Sequence, residues 1–197
     1  CDYNYVFDPR VSLKRFFEEG GDYLLLVDEA HNLVERAREM FSAELSKKAF
    51  LEQRQKLKAM APKVYKALMN INKYFIELRK SFEEKNDSRI IEPPEALYHL
   101  VAIFVGEWEA FLAQNKGHGA DDALMELYFN CLSFLTVYRL CDERYVTYAV
   151  REDTNVTLKL FCVDPSYLLR KTYSKGRATV FFSATLLPLK YFQDMLG

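Results

Sequence analysis

The sequence is poor in the residues that mark linkers and small metal-binding modules. Its seven glycines and six prolines form no Gly-rich or Pro-rich tract, and half of its 197 residues are hydrophobic, so the chain can bury one sizeable core or two modest ones. The four cysteines, Cys1, Cys131, Cys141 and Cys162, include no pair at two-residue spacing. We therefore expect them to be buried, reduced thiols.

Signals for export and membrane insertion are also lacking. No apolar stretch approaches the length of a membrane span, and the N-terminus has no signal-peptide pattern. These absences predict a globular protein with no membrane partner, located in the cytoplasm or, in a eukaryote, in the nucleus. Position 1 is Cys rather than Met, which favours a piece of a longer protein.

No Gly-x-x-x-x-Gly-Lys-Ser/Thr motif occurs in the sequence. Such a loop cradles nucleotide phosphates with its backbone N–H groups, and its lysine reaches the β- and γ-phosphates. Without this loop, the sequence lacks this means of bringing a nucleoside triphosphate to a catalytic group.

A polar motif follows the first strongly apolar run. Residues 23–27 read Tyr-Leu-Leu-Leu-Val and predict a buried strand, and residues 28–33 read Asp-Glu-Ala-His-Asn-Leu, a Walker B motif of the DEAH type. Because nucleotide sites form beyond the carboxyl ends of parallel strands, we expect Asp28 to hold Mg²⁺ and Glu29 to orient or deprotonate the attacking water. His31 is placed to sense that site.

The same acidic pair has a purely structural interpretation. Carboxylates are favoured at a helix N-terminus, where Asp28 would act as the cap. A second motif favours the chemical interpretation. Residues 178–182 form another apolar run, and it ends in Ser183, Ala184 and Thr185. The triplet is a weak signal alone, but the two motifs together, each closing an apolar strand, are a strong one.

With these motifs the chain resembles the superfamily 2 DNA helicases of the XPD and DinG type. Residues 2–9 resemble the stretch that precedes Walker B in that family, residues 27–33 its DEAH box, residues 163–166 its "LDPS" segment, and residues 183–186 its third motif. The resemblance covers nearly the whole chain.

The resemblance implies a parent protein that uses ATP and Mg²⁺ to unwind DNA in the 5′ to 3′ direction, in DNA repair or replication, with single-stranded DNA as its partner. The iron-sulfur cysteines of the family lie upstream of Walker B, so we do not expect that cluster in this chain. The second motor domain of the family would follow residue 197.

The distance between the two motifs indicates a large insertion. In a plain RecA-like domain the two motif-bearing strands are neighbours with a short crossover, whereas here well over a hundred residues intervene. We predict an α/β plus α fold. Residues 1–33 and 144–197 would form a partial RecA-like (P-loop NTPase) parallel-sheet domain with a β-hairpin, and residues 34–143 an inserted helical bundle, the Arch domain.

Periodicity and capping signals predict the individual elements. The resemblance implies that the Walker B strand and the third-motif strand are parallel neighbours, with His31 near Ser183 or Thr185. The hairpin should pair residues 144–151 with 156–163. Helices are predicted at 8–19, 47–60, 62–85, 93–114, 120–141 and 165–173.

Charge divides the predicted bundle in two. Residues 46–80 contain ten basic and two acidic residues, a balance of +8, and residues 81–143 contain four basic and twelve acidic, a balance of −8. Basic side chains at this density neutralise phosphates. The candidates for nucleic-acid contact are Lys47, Lys48, Arg54, Lys56, Lys58, Lys63, Lys66 and Lys73.

Two alternatives remain open for this charge pattern. The basic helices can complement the acidic ones inside the bundle. The bundle can also be a helical protein-interaction platform with no DNA contact of its own, its charge asymmetry marking a partner surface.

The missing phosphate loop generates a prediction for the purified chain. Because phosphoryl transfer depends on positioning by parts that this sequence lacks, we expect no ATP turnover above background. The measurement is phosphate release with ATP and Mg²⁺ present. Turnover that Glu29→Gln abolishes would contradict the prediction.

Overall fold

A computed structural model describes residues 2–13, 20–82, 87–115 and 121–197. The chain divides into two compact units, each assembled from separate segments. The parallel-sheet unit comprises Cys1–Ser42, Leu140–Tyr145 and Phe161–Gly197. The helical unit comprises Ala43–Arg139 and Val146–Leu160.

The parallel-sheet unit packs short helices on a pair of strands. Its elements are helix α1 (Asn4–Phe7), strand β1 (Leu24–Val27), helices α2 (Leu33–Met40), α8 (Ser166–Tyr173) and α9 (Leu189–Leu196), and strand β6 (Ala178–Phe181).

The helical unit contains the longer helices and a second sheet. Its elements are strand β2 (Ala43–Ser46), helices α3 (Lys47–Glu52), α4 (Arg54–Met60) and α5 (Pro62–Lys80), strand β3 (Ser88–Ile90), helices α6 (Glu95–Gln114) and α7 (Asp122–Tyr138), and all but the outer ends of strands β4 (Tyr145–Glu152) and β5 (Asn155–Cys162).

Strands β1 and β6 are parallel neighbours, which confirms that prediction. The register pairs Leu24 with Ala178 and Val27 with Phe181. One face of the pair packs on a core formed by α1, α2, α8 and α9. The prediction of a buried strand at residues 23–27 is wrong for one of its two faces, because the described helices pack on the other face only, and Leu24 and Leu26 are 66% and 71% exposed.

The start of the chain also differs from the prediction. Residues 8–13 are not helical, and residues 14–19, the rest of the predicted helix, lie outside the described residues. Helix α1 instead ends before Asp8, whose side chain accepts a hydrogen bond from the N–H of Arg10 at 2.9 Å. An Asp-Pro sequence favours such a turn, because the side chain bonds to backbone nearby and the residue before proline avoids helical geometry.

The helical unit is built around an aromatic core. Helix α5 packs on α6, and α6 packs on α7. Phe50 of α3 lies 6.2 Å from Phe75 and 5.8 Å from Phe104, measured between ring centroids. These three rings and Trp108 are fully buried. Phe104 and Trp108 are four residues apart and lie on one face of α6, and that face forms this core.

Several helices are shorter than predicted. The helix predicted at 47–60 is two helices that meet at Gln53. The helix from Pro62 ends at Lys80, and residues 83–85 of its predicted tail lie outside the described residues. Asp121 caps α7, since its side chain accepts a hydrogen bond from the N–H of Leu124 at 3.0 Å.

The second sheet changes the predicted domain boundaries. Its strand order is β2-β5-β4-β3, and the β4–β5 hairpin confirms the predicted one. Strands β2 and β3, however, lie in the segment predicted to be helical throughout. They pair with the hairpin, Ala43 opposite Leu160 and Ser88 opposite Val150. Because of this pairing, most of the hairpin belongs to the helical unit rather than to the parallel-sheet unit, and α2 belongs to the latter because it packs in that core.

One described helix, α6, is long and apolar enough to cross a membrane by length and composition. It has 20 residues and a mean hydropathy of 1.4 over its 18-residue window, of which 28% is buried. The expectation that no stretch approaches this length is therefore wrong. Leu97, Val101 and Trp108 of α6 are buried within the helical unit, as in the core helix of a globular domain.

The three cysteines of the described residues form no disulfide with one another. Cys131 and Cys162 are buried as expected, whereas Cys141 is half-buried because α7 ends three residues before it. Burial raises the pKa of the Cys162 thiol to about 11, which keeps it protonated at neutral pH. Cys1 lies outside the described residues.

Neighbouring positions on α6 provide a matched test of this core. Phe104 is 1% exposed and Ile103 is 54% exposed. Phe104→Ala should lower the free energy of unfolding by about 3–5 kcal/mol because it leaves a cavity, and Ile103→Ala should change it by about 0.5 kcal/mol or less. Urea unfolding followed by fluorescence of the single tryptophan, Trp108, measures both. Equal losses would contradict the packing described here.

Candidate functional site

The predicted Walker B residues form a tight turn at the end of β1. Asp28 follows the strand, and Glu29 has φ 49° and ψ 40°, the left-handed region that residues with a side chain rarely adopt. A 3-10 turn, Ala30–Asn32, then leads into α2. The reversal places Glu29 and His31 at the carboxyl edge of the parallel pair.

Backbone hydrogen bonds join this turn to the chain that leaves β6. The N–H of Phe182 donates to the carbonyl of Val27 at 3.0 Å, and the N–H of Ala30 donates to the carbonyl of Phe182 at 3.1 Å. They continue the strand pairing past both strands and hold Ser183 beside the turn. Sequence reasoning missed Phe182, because its contribution is through main-chain atoms and its apolar side chain carries no chemical signal.

Three side chains converge at this edge. Nδ1 of His31 lies 2.7 Å from Oγ of Ser183 and 3.0 Å from Oε2 of Glu29. The Ser183 hydroxyl donates to the same Glu29 oxygen at 3.4 Å. Nδ1 of His31 is therefore within hydrogen-bond reach of both Ser183 and Glu29. The predicted proximity of His31 to Ser183 is confirmed.

The other members of the third motif lie farther from this contact. Ala184 and Thr185 are exposed, and the N–H of Thr185 donates to Oγ of Ser183 at 3.4 Å. Ser183 is thus the member of the triplet that meets the Walker B turn.

Asp28 is not a helix cap. Its Oδ1 accepts from the N–H of Glu29 at 2.7 Å, and α2 begins after Asn32 without a side-chain cap. The structural interpretation of the acidic pair as a capped helix N-terminus is therefore wrong.

The donor set around Asp28 fits a metal ion that arrives with phosphate. Among the described residues, no group of three or more His, Cys, Asp or Glu side chains could hold a metal ion. Mg²⁺ is usually bound by one or two carboxylates together with substrate phosphates and water rather than by a cage of protein ligands. The exposed Asp28 meets that requirement.

A cavity of about 540 Å³ opens along β1. It gives Asp28 open space on one side, next to the apolar strand. The lining residues come from β1 and the N-terminal segment: Asp2, Tyr3, Val6, Phe7, Leu24, Leu25, Leu26, Val27 and Asp28.

The basic candidates of the helical unit fall into two groups. Four already have partners within the unit: Lys56 pairs with Asp121, Lys48 with Glu52 at 3.9 Å, Lys73 with Glu77 at 4.0 Å, and Nζ of Lys47 donates to the carbonyl of Thr154 at 3.3 Å. The other four are exposed and form no ion pair with the described residues: Arg54, Lys58, Lys63 and Lys66. An ion pair within the helical unit therefore accounts for the charge of Lys56. No ion pair with the described residues accounts for the charges of Arg54, Lys58, Lys63 and Lys66.

Comparison with known proteins gives a likeness in structure. No protein-family model matches the chain, and no curated protein matches it. Among 24 matching chains of solved structures is S. tokodaii Xpd4, an XPD-like helicase, with a TM-score of 0.54 and 18% sequence identity. The alignment covers 93% of this chain and 39% of that chain. The chain therefore has a helicase-like fold and spans less than half the length of this neighbour.

The left-handed backbone of Glu29 provides a test of the turn. Glu29→Gly and Glu29→Ala both remove the carboxylate, but only alanine carries a Cβ that disfavours positive φ. We expect the glycine variant to be the more stable by about 1 kcal/mol. Amide hydrogen exchange of β1 reports on this unit. An alanine variant as stable as the glycine variant would show that Glu29 is not held in this conformation.

Proposed function

We propose that this chain belongs to an ATP-dependent 5′ to 3′ DNA helicase of the XPD/DinG type. The parallel-sheet unit would carry the Walker B and third-motif edge of the first motor domain, and the helical unit would be the Arch insertion. The observation that carries the proposal is the contact of Glu29 and His31 with Ser183, which joins the ends of two neighbouring parallel strands. The helicase-like fold supports the same assignment.

Asp28 and Glu29 have separate roles in this proposal. Asp28 would be the carboxylate ligand of a Mg²⁺ bound to ATP phosphates. ATP with Mg²⁺, when bound, supplies the phosphoryl group that is transferred to water. One oxygen of Glu29, Oε2, is held by His31 and Ser183. The other, Oε1, has no hydrogen-bond partner among the described residues and is free to orient the attacking water.

His31 and Ser183 would couple this chemistry to DNA. Both side chains touch the same carboxylate oxygen, so a displacement of Glu29 changes the contacts of Ser183 and of the exposed Ala184-Thr185 segment that follows it. A coupling of this kind needs a connected set of groups that has two arrangements. The left-handed Glu29 supplies the strained member of that set.

One observation favours a second candidate for the helical unit. Lys56 and Asp121 form an internal ion pair, so part of the charge asymmetry serves the fold of this unit. In that case the helical unit would be a protein-interaction platform with no DNA contact. Its remaining lysines would then need no nucleic-acid role.

Substitutions in the whole protein test the motor proposal. Glu29→Gln should lower ATP turnover by several orders of magnitude while leaving ATP affinity within a few-fold, because the amide cannot take up a proton from water. Ser183→Ala should leave ATP turnover in the absence of DNA near the wild-type rate and lower the DNA-stimulated part. Phosphate release and nucleotide binding, each with and without single-stranded DNA, measure these effects.

Glu35→Gln is the matched control. Glu35 is an exposed carboxylate of α2 that pairs with Arg38, and its substitution should leave both activities unchanged. A Glu29→Gln enzyme that turns over ATP like the control would remove Glu29 from the proposed role. A Ser183→Ala enzyme with an unchanged response to DNA would do the same for the coupling.

A further inference from the structure

The exposed side of helix α6 has the residue spacing of a helix-pairing seam. Six exposed residues recur at alternating steps of three and four positions, within a sector about 100° wide and about 25 Å long. This is the spacing of the a and d positions of a heptad, along which one helix packs on another. These residues form the α6 seam: Ala96, His99, Ile103, Gly106, Ala110 and Ala113.

The α6 seam has no partner among the described residues. Only 28% of the apolar 18-residue window of α6 is buried. The buried part, which includes Leu97, Phe104 and Trp108, lies on the other side of the helix. On the seam, Ile103 is 54% exposed. The core of the helical unit therefore explains the apolar residues on one side of α6 and leaves those of the seam unexplained.

Gly106 indicates a close approach from outside the helical unit. Glycine inside a helix is less favourable than alanine, because it loses more conformational freedom on folding. A Cβ added at Gly106 would meet no atom of a neighbouring segment within 4 Å, so packing among the described residues does not require the glycine. Glycine at such a position allows another backbone to approach closely.

Negative charge flanks the α6 seam. Helix α6 contains three carboxylates and no lysine or arginine, and each carboxylate directly precedes an a position or follows a d position. These are the g and e positions of the heptad, whose side chains form salt bridges between paired helices and set the choice of partner. The three residues are Glu95, Glu107 and Glu109.

Basic residues do not neutralise these carboxylates. Glu109 accepts a hydrogen bond from the hydroxyl of Tyr128 at 2.7 Å, and Glu95 lies 3.7 Å from His99 of the same helix. None of the three glutamates forms an ion pair with a lysine or arginine of the described residues. The α6 seam is therefore a largely apolar surface with acidic edges.

The seam adjoins a cavity of about 490 Å³ in the helical unit. Ala110 belongs to both, and the cavity extends from there to the junction of α4 and α5. Amphipathic helices that bind in grooves place apolar anchors at helical spacing, and anchors that fill pockets contribute most to affinity. The cavity lining includes Met60, Val64, Glu107, Ala110, Phe111 and Gln114.

We infer that the α6 seam binds a basic amphipathic α-helix of a partner protein. The partner would place apolar side chains at its own a and d positions against the seam. Lysine or arginine at its e and g positions would pair with Glu95, Glu107 and Glu109. One large apolar side chain would enter the cavity beside Ala110. The inference uses no residue of the motor site and does not rest on the motor proposal.

Two other occupants are less favoured. Helices that lie on membranes carry lysine and arginine on their polar face, whereas α6 carries three glutamates, which anionic lipids repel. A second copy of this chain, pairing through the same seam, would bring the glutamates of the two helices together, and like charges at an interface oppose association.

Binding of the 197-residue chain to a designed helical peptide tests this inference. The probe is a fluorescent peptide of three heptads with Leu at a and d and Lys at e and g, and anisotropy measures its affinity. Gly106→Gln should weaken binding about tenfold or more, because the added side chain overfills the seam. The Tm of this variant should stay the same or rise, because glutamine favours the helix over glycine.

The charges of the seam are tested separately. Glu107→Gln combined with Glu109→Gln should weaken binding roughly three- to tenfold at low salt, because two exposed ion pairs are lost. The matched control is Glu35→Gln combined with Glu39→Gln in α2, which removes the same charge and should leave the affinity unchanged. A peptide with Glu in place of Lys should bind roughly tenfold more weakly than the basic peptide.

Several results would overturn the inference. They are the absence of saturable binding of the basic peptide, equal binding of the acidic peptide, equal weakening by the control variant, and an unchanged affinity of the Gly106→Gln chain. Binding to phosphatidylglycerol vesicles in place of the peptide would assign the seam to a membrane. Dimers that Gly106→Gln abolishes would assign it to a second copy. None of these measurements uses ATP, so a failure here is distinct from a failure of the motor proposal.

Discussion

The parallel pairing of β1 with β6 is the constraint on which the site depends. Two parallel strands end at the same edge of a sheet, so the residues that follow them meet there however far apart they lie in sequence. The register, with Val27 opposite Phe181, places Ser183 beside His31. A slip of one residue would turn Phe181 out of the core and move Ser183 away from His31. The core that selects the register therefore also assembles the site.

A second feature of that edge is the conformation of Glu29. A residue other than glycine in the left-handed region costs about 1–2 kcal/mol, and such strain persists where neighbouring contacts determine the backbone. Here those contacts are the two hydrogen bonds through Phe182 and the side-chain contacts of Glu29. The glutamate is thereby directed at the edge of the strands instead of continuing along β1.

Part of this arrangement could be predicted from sequence and part could not. The long helices and the β4–β5 hairpin follow from periodicity, and the contact of His31 with Ser183 follows from the resemblance to the helicases, which brings the two strand-closing motifs to one sheet edge. Strands β2 and β3 do not, because segments of four and three residues are too short for a periodic signal and are specified by their partners. The open face of β1 was missed because an apolar run does not show which faces will be covered.

The basic residues of the helical unit, with and without internal partners, show the same limit of prediction from sequence. A count of residues detects that one half is basic and the other acidic, but it cannot separate a lysine with an internal partner from one without. Lys56 and Asp121 are 65 positions apart, and their pairing depends on how α4 and the start of α7 come together. Lys63, Lys66 and Lys80 of α5 form no ion pair with the described residues, whereas Lys73 pairs with Glu77 of the same helix.

The separation of β1 and β6 in sequence has a consequence for how the protein reaches its folded state. About 150 residues lie between Val27 and Ala178, and closing a flexible loop of that size has an entropic cost of about 4–5 kcal/mol. The helical unit has its own core and accounts for most of that loop. If the helical unit folds first, the flexible part of the chain that connects β1 to β6 becomes shorter. Prior folding of the helical unit would therefore accelerate pairing of the parallel strands, and the edge that carries Glu29, His31 and Ser183 would form last.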